Sequence, residues 1–381
     1  MLLFFLVVFA ILGLVNFYII VRGLQAIPPA SSWRGVTIAA FIFLSLSFIA
    51  GRFLERAWLS PVSEALVWTG SYWFAAMLYF FLAVLFFDVL RLVNFVVPFF
   101  PAIVTRDYQQ AKFLLGAGTV ILVVLAVLGG HINAANPAIR PLDIHVRKRV
   151  KGNSEIRIVA ASDIHLGTVI GRTRFDRIVE KINALSPDLV LLPGDIVDED
   201  LAPVIRENLG EALRNIRARY GVLAITGNHE YIGGAEEASR YLTEHGVTML
   251  RDSMVRLENG IQIVGREDRS SRQFGGKQRK PLQELMSEVD PGFPVILMDH
   301  QPFHLEEAAA AGVDLQLSGH THHGQLWPLN FITRAVYEVS WGFKQVGGTQ
   351  VYVSSGVGTW GPPVRTGNRP EIVSIRFRCE P

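Results

Sequence analysis

Four long apolar runs fill most of the first 131 residues, and they restrict what this chain can fold into more than any other feature. They cover 1–24, 36–53, 65–93 and 113–131, each long enough to cross roughly 30 Å of hydrocarbon as a helix. The first has no basic residue before Arg22 and is too long and too apolar for a cleaved leader. Buried helices of a large soluble protein would rarely come as four such runs in succession. The segment 1–135 is therefore expected to be a bundle of about four transmembrane helices. Near the end of the third run, Asp88 and Arg91 stand one helical turn apart. They either pair and snorkel at the interface or mark an intramembrane functional site. The stretch 94–104, with Pro98 and Pro101, reads as interfacial.

Four crossings put both chain ends on one side of a multi-pass membrane protein. Loops one and three carry Arg22, Arg34, Arg91, Arg106 and Lys112, whereas loop two carries Arg52 and Arg56. Arg147, Lys148, Arg149 and Lys151 follow the last run, but Leu142–Val150 alternates like a strand, which assigns those charges to a folded domain. The positive-inside rule then places the remainder of the chain on the extracytoplasmic side of the cell membrane.

Beyond residue 140 the pattern changes to strands alternating with helices. Strands are expected at Glu155–Ser162, Asp188–Leu192, Gly221–Thr226, Val247–Leu250, Met254–Leu257, Ile261–Val264, Pro294–Met298, Val313–Ser318, Gln350–Ser354 and Glu371–Phe377. Helices are expected near Arg172–Leu185, Ala202–Ala218, Ala235–His245, Leu282–Glu288 and Phe303–Ala311, with a charged loop at Glu267–Lys280. Such alternation with some hairpins predicts a layered α/β sandwich over 140–381. The net charge of +2 offers no nucleic-acid surface. The single cysteine, Cys379, excludes an intramolecular disulfide and a cysteine zinc cage.

Several of these strands end in polar residues of one chemical kind. Asp163 and His165 follow the first, on one side of an extended segment. Asp195 follows the second, Asn228-His229-Glu230 the third, Asp299-His300 a later one, and His320-Thr321-His322-His323 the strand after it. Each alone has a bland reading: an Asp after a strand is often a helix cap, and a turn histidine is often solvated. Parallel strands, however, would gather these ends at one sheet edge, where α/β proteins place their chemistry. Carboxylate, imidazole and amide oxygen together suit Mn²⁺, Fe²⁺ or Zn²⁺ better than Ca²⁺ or Mg²⁺. There are too many donors for one ion, whereas two ions about 3.5–4 Å apart would use them all and clamp a phosphoryl group.

The order Asp-x-His, Gly-Asp-x-x-Asp, Gly-Asn-His-Glu, a lone His and Gly-His-x-His resembles the calcineurin-like metallophosphoesterase superfamily over about Ile156 to Phe377. With membrane segments ahead of it, the wording looks most like the membrane-associated branch. That branch is similar to enzymes cleaving UDP-diacylglucosamine in lipid A synthesis. The resemblance implies a metallophosphoesterase β-sandwich flanked by helices. It also implies that Asp163, His165 and His322 hold one cation, that Asn228, His300 and His320 hold the other, and that Asp195 bridges them. His229 would be the catalytic donor to the phosphate or leaving group, and Asp198 would support the ligands. Glu230 would either orient His229 or serve as an ordinary first-turn acid.

Two positions depart from the pattern. His323 replaces a usual Gly and either contacts substrate or faces solvent. Asp299 replaces the usual Ser or Thr before His300. The function expected is hydrolysis of a phosphate ester or pyrophosphate by attack of metal-bound hydroxide, manganese being one suitable cation. The apolar stretch Leu326–Ile332, with Trp341 and Phe343, either meets lipid or packs as a satellite core. A lipid-linked or cell-envelope substrate follows from the first reading. A catalytically inactive binding module on a membrane platform, and a transporter regulated by the soluble domain, are the competing functions. The intact donor set opposes the former, and the scarcity of intramembrane charge opposes the latter.

Overall fold

The computed structural model describes residues 2–380, so Met1 and Pro381, the outer limits of the expected regions, lie outside it. The chain separates into two compact units, Met1–His131 and Ile132–Pro381.

The first unit contains α1 (Leu2–Ala26), α2 (Trp33–Ala57), α3 (Pro61–Val96), the short α4 (Ala102–Arg106) and α5 (Tyr108–Ala134), which runs on past the division. Four of these helices are long and apolar enough to cross a membrane. Their outward side chains are largely apolar, as a hydrocarbon solvent requires: Phe95 is 85% exposed and Leu122 68%. Small residues bring α2 and α3 together, since a Cβ on Gly70 would strike the Phe48 backbone and one on Gly51 would strike Val67. Asp88 is paired, with Arg91 at 3.3 Å, and more closely with Arg22 at 2.7 Å and the Tyr18 hydroxyl at 2.6 Å.

The second unit is built on two six-stranded sheets. The strands are β1 (Ala138–Val146), β2 (Glu155–Ala160), β3 (Leu189–Pro193), β4 (Val222–Ile225), β5 (Val247–Met249), β6 (Ser253–Arg256), β7 (Gln262–Gly265), β8 (Val295–Met298), β9 (Leu315–Ser318), β10 (Gly342–Val346), β11 (Thr349–Val353) and β12 (Glu371–Cys379). The first sheet runs β1-β12-β2-β3-β4-β5 and the second β10-β11-β9-β8-β7-β6. β2 to β5 are mutually parallel, as are β7, β8, β9 and β11.

Side-chain alternation explains the layering. Ile158, Leu189, Leu191 and Leu223 point inward and meet Ile263, Ile296, Leu315 and Leu317 of the other sheet. Their neighbours Val159, Val190, Leu192 and Val222 point outward, where Phe175, Ile178 and Ile182 of the helix Arg172–Ala184 cover them. Val264, Val295 and Leu297 do the same for the second sheet, under Leu282, Leu285 and Ala308. Helices thus flank a sandwich, and the parallel runs send their carboxyl ends towards one edge of each sheet.

Some expectations change. The helix expected over Ala202–Ala218 is two short ones, Ala202–Arg206 and Gly210–Arg214, because Asn208 takes a left-handed backbone (φ 49°) between them. β10 was not foreseen, since it is an outer strand with Phe343 half exposed and no apolar alternation to betray it. The stretch after Leu326 is no satellite core: Trp327, Phe331, Ile332 and Val336 are 53%, 58%, 60% and 57% exposed on or beside the helix Asn330–Val336. Only Leu326 and Asn330 are buried among them, so the segment is pinned at its base and apolar outside. Lys148 pairs with Asp314 at 2.7 Å, which ties that basic stretch to the folded domain.

Candidate metal centre

All the expected site residues except His323 converge on the ends of β2, β3, β4, β8 and β9. The loops after β2 and β3 are joined by backbone bonds, with Asp163 N–H donating to Gly194 O at 3.1 Å and His165 N–H to Asp195 O at 3.0 Å. Neither loop is extended. Asp163, His165, Asp195, His320 and His322 have φ of 54°, 55°, 52°, 71° and 45°, so the expectation that Asp163 and His165 share one side of a strand is wrong. Left-handed residues turn these side chains inward instead. Asp and His tolerate that region better than branched residues, yet each such position still costs about 1–3 kcal/mol. Strain concentrated on the polar residues of one cleft marks a functional site. Two glycines complete the approach: a Cβ on Gly227 would strike the Asp195 carboxylate, and one on Gly319 the Asp163 carboxylate.

In the first cluster, His165 Nε2 lies 3.0 Å from His322 Nε2, which is 3.7 Å from Asp163 Oδ1. The Oδ2 atom of Asp163 is buried with no hydrogen-bond partner. Burial pushes this carboxyl up, and the charges of His300 and His165 offset only part of the effect. In the second cluster, His320 Nδ1 is 2.7 Å and His300 Nε2 3.2 Å from Asn228 Oδ1. The same His300 Nε2 is 3.0 Å from Asp195 Oδ2, while His300 Nδ1 donates to Pro193 O at 2.8 Å. Asp195 also lies 3.9 Å from His165 Nε2, between the two clusters.

Lone-pair donors outnumber protons here. His300 is pushed well above an ordinary imidazole, burial opposing and Asp195 prevailing, whereas burial and the His300 charge press His320 down to about 3. A proton serves one of these contacts at a time, while a divalent cation serves a whole cluster. Asp163, His165 and His322 bring their donor atoms within 4.8 Å of one another, as do Asp195, His300 and His320. The donors therefore fit divalent cations, and all are buried or nearly so.

His229 stands beside Asp195, towards which its backbone N–H donates at 2.9 Å. Its Nδ1 is 3.2 Å from Asp198 Oδ1 and 3.7 Å from Glu199 Oε1. Burial disfavours the charged ring, but Asp195, Asp198 and Glu199 outweigh it and raise the group to about 9. Asp198 also lies 3.4 Å from His165 Nδ1, the kind of carboxylate that fixes a ligand's tautomer. Burial would raise Asp198, but His165 and His229 hold it far below the usual carboxylate range.

Glu230 is more than a first-turn acid and does not touch the His229 ring. It accepts from four backbone N–H groups, of Gly227 at 2.7 Å, Asp195 at 3.1 Å, Ile196 at 2.6 Å and Val197 at 2.8 Å. It thereby fastens the Asp195 loop to the Asn228 loop. Glu230→Ala would strand these donors in the interior, and each buried unsatisfied donor costs about 1–3 kcal/mol. We expect more than about 3 kcal/mol of destabilisation, with Glu230→Gln losing less. Urea unfolding of the full chain in detergent measures this, and an unchanged midpoint for Glu230→Ala would refute the role.

His323 does not face solvent. It is 4% exposed, its Nδ1 is 3.0 Å from Ser340 Oγ, and its ring packs 5.3 Å from that of Trp341. A left-handed φ of 46° swings it out of the cluster. Asp299 is explained by two partners, Arg266 at 3.0 Å and Arg279 at 2.8 Å, which a Ser or Thr could not bind as ions. Of the other histidines, His131 meets the Tyr72 hydroxyl at 3.0 Å, His245 packs on Tyr241, and His304 and His145 are exposed.

Sequence reasoning missed Arg365, which is fully buried and donates to His322 Nδ1 at 3.0 Å. An arginine can only donate, so a neutral His322 carries its proton on Nε2. Cation uptake at Nε2 must expel that proton or displace Arg365. Nothing in the run Pro362-Pro-Val-Arg365 distinguishes this arginine from a surface one. Glu199, also missed, adjoins Asp198 in the sequence and could have been found there.

The model of the calcineurin-like phosphoesterase family matches residues 156–324, which include every residue described above as a candidate ligand. An uncharacterised metallophosphoesterase of Aquifex aeolicus is 32% identical over 259 residues, covering 67% of this chain and 98% of that one. A transmembrane protein with a metallophosphoesterase domain from Danio rerio is 32% identical, over 93% of this chain and 82% of its own. An uncharacterised metallophosphoesterase of Campylobacter jejuni is 30% identical over 99% of this chain and 98% of its own, so the likeness reaches through the apolar helices. The chain belongs to the calcineurin-like metallophosphoesterases, with four candidate membrane spans ahead of the phosphoesterase domain.

Proposed function

We propose that this protein is a membrane-anchored phosphohydrolase that uses two divalent cations to cleave a phosphate ester or pyrophosphate of an amphipathic, lipid-linked molecule. The observation that carries the reading is the pair of donor clusters meeting at Asp195, with His229 beside them and its Nδ1 3.2 Å from Asp198 Oδ1. Asp163, His165 and His322 would hold one cation and Asn228, His300 and His320 the other, with Asp195 shared; Mn²⁺, Fe²⁺ and Zn²⁺ all suit these donors. When bound, such a pair activates water and neutralises phosphoryl oxygens.

The chain's own residues do the remainder. Asp198 and Glu199 keep the His229 ring charged and aimed, so that it donates a proton or hydrogen bond to the phosphoryl or leaving oxygen. Asp198 also holds His165 with its Nε2 turned to the cluster. Glu230 fixes the two loops on which Asp195 and Asn228 ride. His323, held by Ser340 and Trp341, stays out of the donor set and shapes the rim.

The exposed Trp327, Phe331, Ile332 and Val336 support the lipid-linked part of the reading, because such a surface gains by entering a bilayer interface. The basic residues of loops one and three favour an extracytoplasmic domain on the cell membrane. The test supplies metal-stripped full chain with Mn²⁺, Fe²⁺ or Zn²⁺ and compares a soluble aryl phosphate with a lipid pyrophosphate in vesicles. Hydrolysis of both with a preference for the vesicle substrate is expected. Phe331→Ser with Ile332→Ser should raise KM for the vesicle substrate about tenfold, through lost apolar burial, and leave the aryl phosphate alone. Equal effects on both would refute the lipid contact, and no hydrolysis with any cation would refute the enzyme.

A further inference from the structure

We infer that the helical unit holds a lipid site of its own, which takes one anionic phospholipid from the leaflet next to loops one and three. A cavity of about 660 Å³ lies among α1, α2, α3 and α5, a size ordinary for small-molecule sites. Its walls are almost wholly apolar, with Phe41, Leu44, Trp73 and Phe80 at the deep end. Polar groups gather at the other end, where Arg22, Arg91, Lys112 and Asp88 also line it.

Along two of its walls the cavity has about the depth of a single leaflet. The α2 lining runs from Trp33 to Leu44, which at helical rise is about 16 Å, or half of the roughly 30 Å hydrocarbon core. The α5 lining, Tyr108 to Val120, gives about 18 Å. Both begin in the first turn of their helices, while the α3 lining, Trp73 to Arg91, reaches deeper, to about 27 Å.

The charge at the mouth selects the headgroup. Three cations less one carboxylate leave a surplus of two positive charges among the lining residues. Asp88 is already taken up by the Tyr18 hydroxyl at 2.6 Å, Arg22 at 2.7 Å and Arg91 at 3.3 Å. Lys112 lies 5.3 Å over the Tyr108 ring, with no carboxylate among the lining residues to neutralise it except the occupied Asp88. A phosphate with a net negative headgroup answers this surplus, whereas a zwitterionic headgroup brings a cation into a cluster that is already positive. The acyl chain fills the apolar depth that would otherwise face only its own walls.

The test uses the full chain in nanodiscs of equal phosphatidylglycerol and phosphatidylcholine, followed by release into mild detergent and mass spectrometry of the retained lipid. One retained phosphatidylglycerol per chain is expected, enriched over phosphatidylcholine. Lys112→Gln should cut that enrichment about fivefold, the share of one cation near a membrane surface. Ala40→Trp and Val120→Trp, which fill the cavity from two different helices, should each abolish retention whatever the headgroup. Unchanged gel-filtration profiles and unfolding midpoints show that the variants fold. Retained lipid that mirrors the nanodisc composition, or retention that survives both fillers, would overturn the inference. None of these readouts depends on phosphoester hydrolysis.

Discussion

Asp195→Asn is expected to reduce bound metal from two cations per chain to one or none and to slow hydrolysis of an aryl phosphate about 10³-fold. Asp195 lies near both clusters, 3.0 Å from His300 Nε2 and 3.9 Å from His165 Nε2. Burial works against its charge, yet His300 and His229 hold it well below the usual carboxylate range. An amide keeps the shape but removes the negative charge that would pair with two cations. Such charge stabilisation is worth several kcal/mol, which corresponds to about 10³ in rate. Metal analysis after gel filtration and initial rates with saturating Mn²⁺ measure both effects. His245→Ala, which alters a histidine packed on Tyr241 outside the site, serves as the control. Full metal content together with full activity in Asp195→Asn would remove the basis for a shared ligand.

His229→Ala should lower the rate about 10²- to 10⁴-fold, the contribution typical of a positioned proton donor, while metal content stays at the wild-type level. The Nδ1 atom of His229 faces Asp198 and Glu199 at 3.2 and 3.7 Å. Its link to Asp195 is made by the backbone N–H, which alanine retains. The deficit should shrink with 4-nitrophenyl phosphate and grow with an alkyl phosphate, because a good leaving group needs no proton. A loss equal for both esters would point to positioning rather than proton donation. Loss of metal would instead make His229 a ligand, as its closeness to His165 and Asp195 permits.

Much of the site could be read from the chain because its residues sit at strand ends. Apolar alternation locates β2, β3, β4, β8 and β9, and a polar residue just past a buried strand has little choice but to lie at the sheet edge. The ligand types then follow from Asp163, His165, Asp195, Asn228, His300, His320 and His322 themselves. The conformation of these residues could not be read in this way. The left-handed φ of five of them is set by contacts between loops, such as His165 N–H to Asp195 O, that join residues far apart in the chain. His323 shows the same limit. Beside two candidate ligands it looks like a third or a solvated ring, and only the Ser340 and Trp341 contacts reveal it as buried and outside the cluster.

The sequence by itself determined the four apolar helices, the alternating α/β order and the identity of the donor groups. These depend on local composition and period, which are properties of a single stretch of chain. Tertiary structure decided that Glu230 ties two loops together through four backbone N–H groups and that Arg365 meets His322. It also decided that the apolar residues after Leu326 face outward. Each of these depends on which distant residue fills the neighbouring space. A side chain's partner in the interior is chosen by packing, not by its place in the sequence.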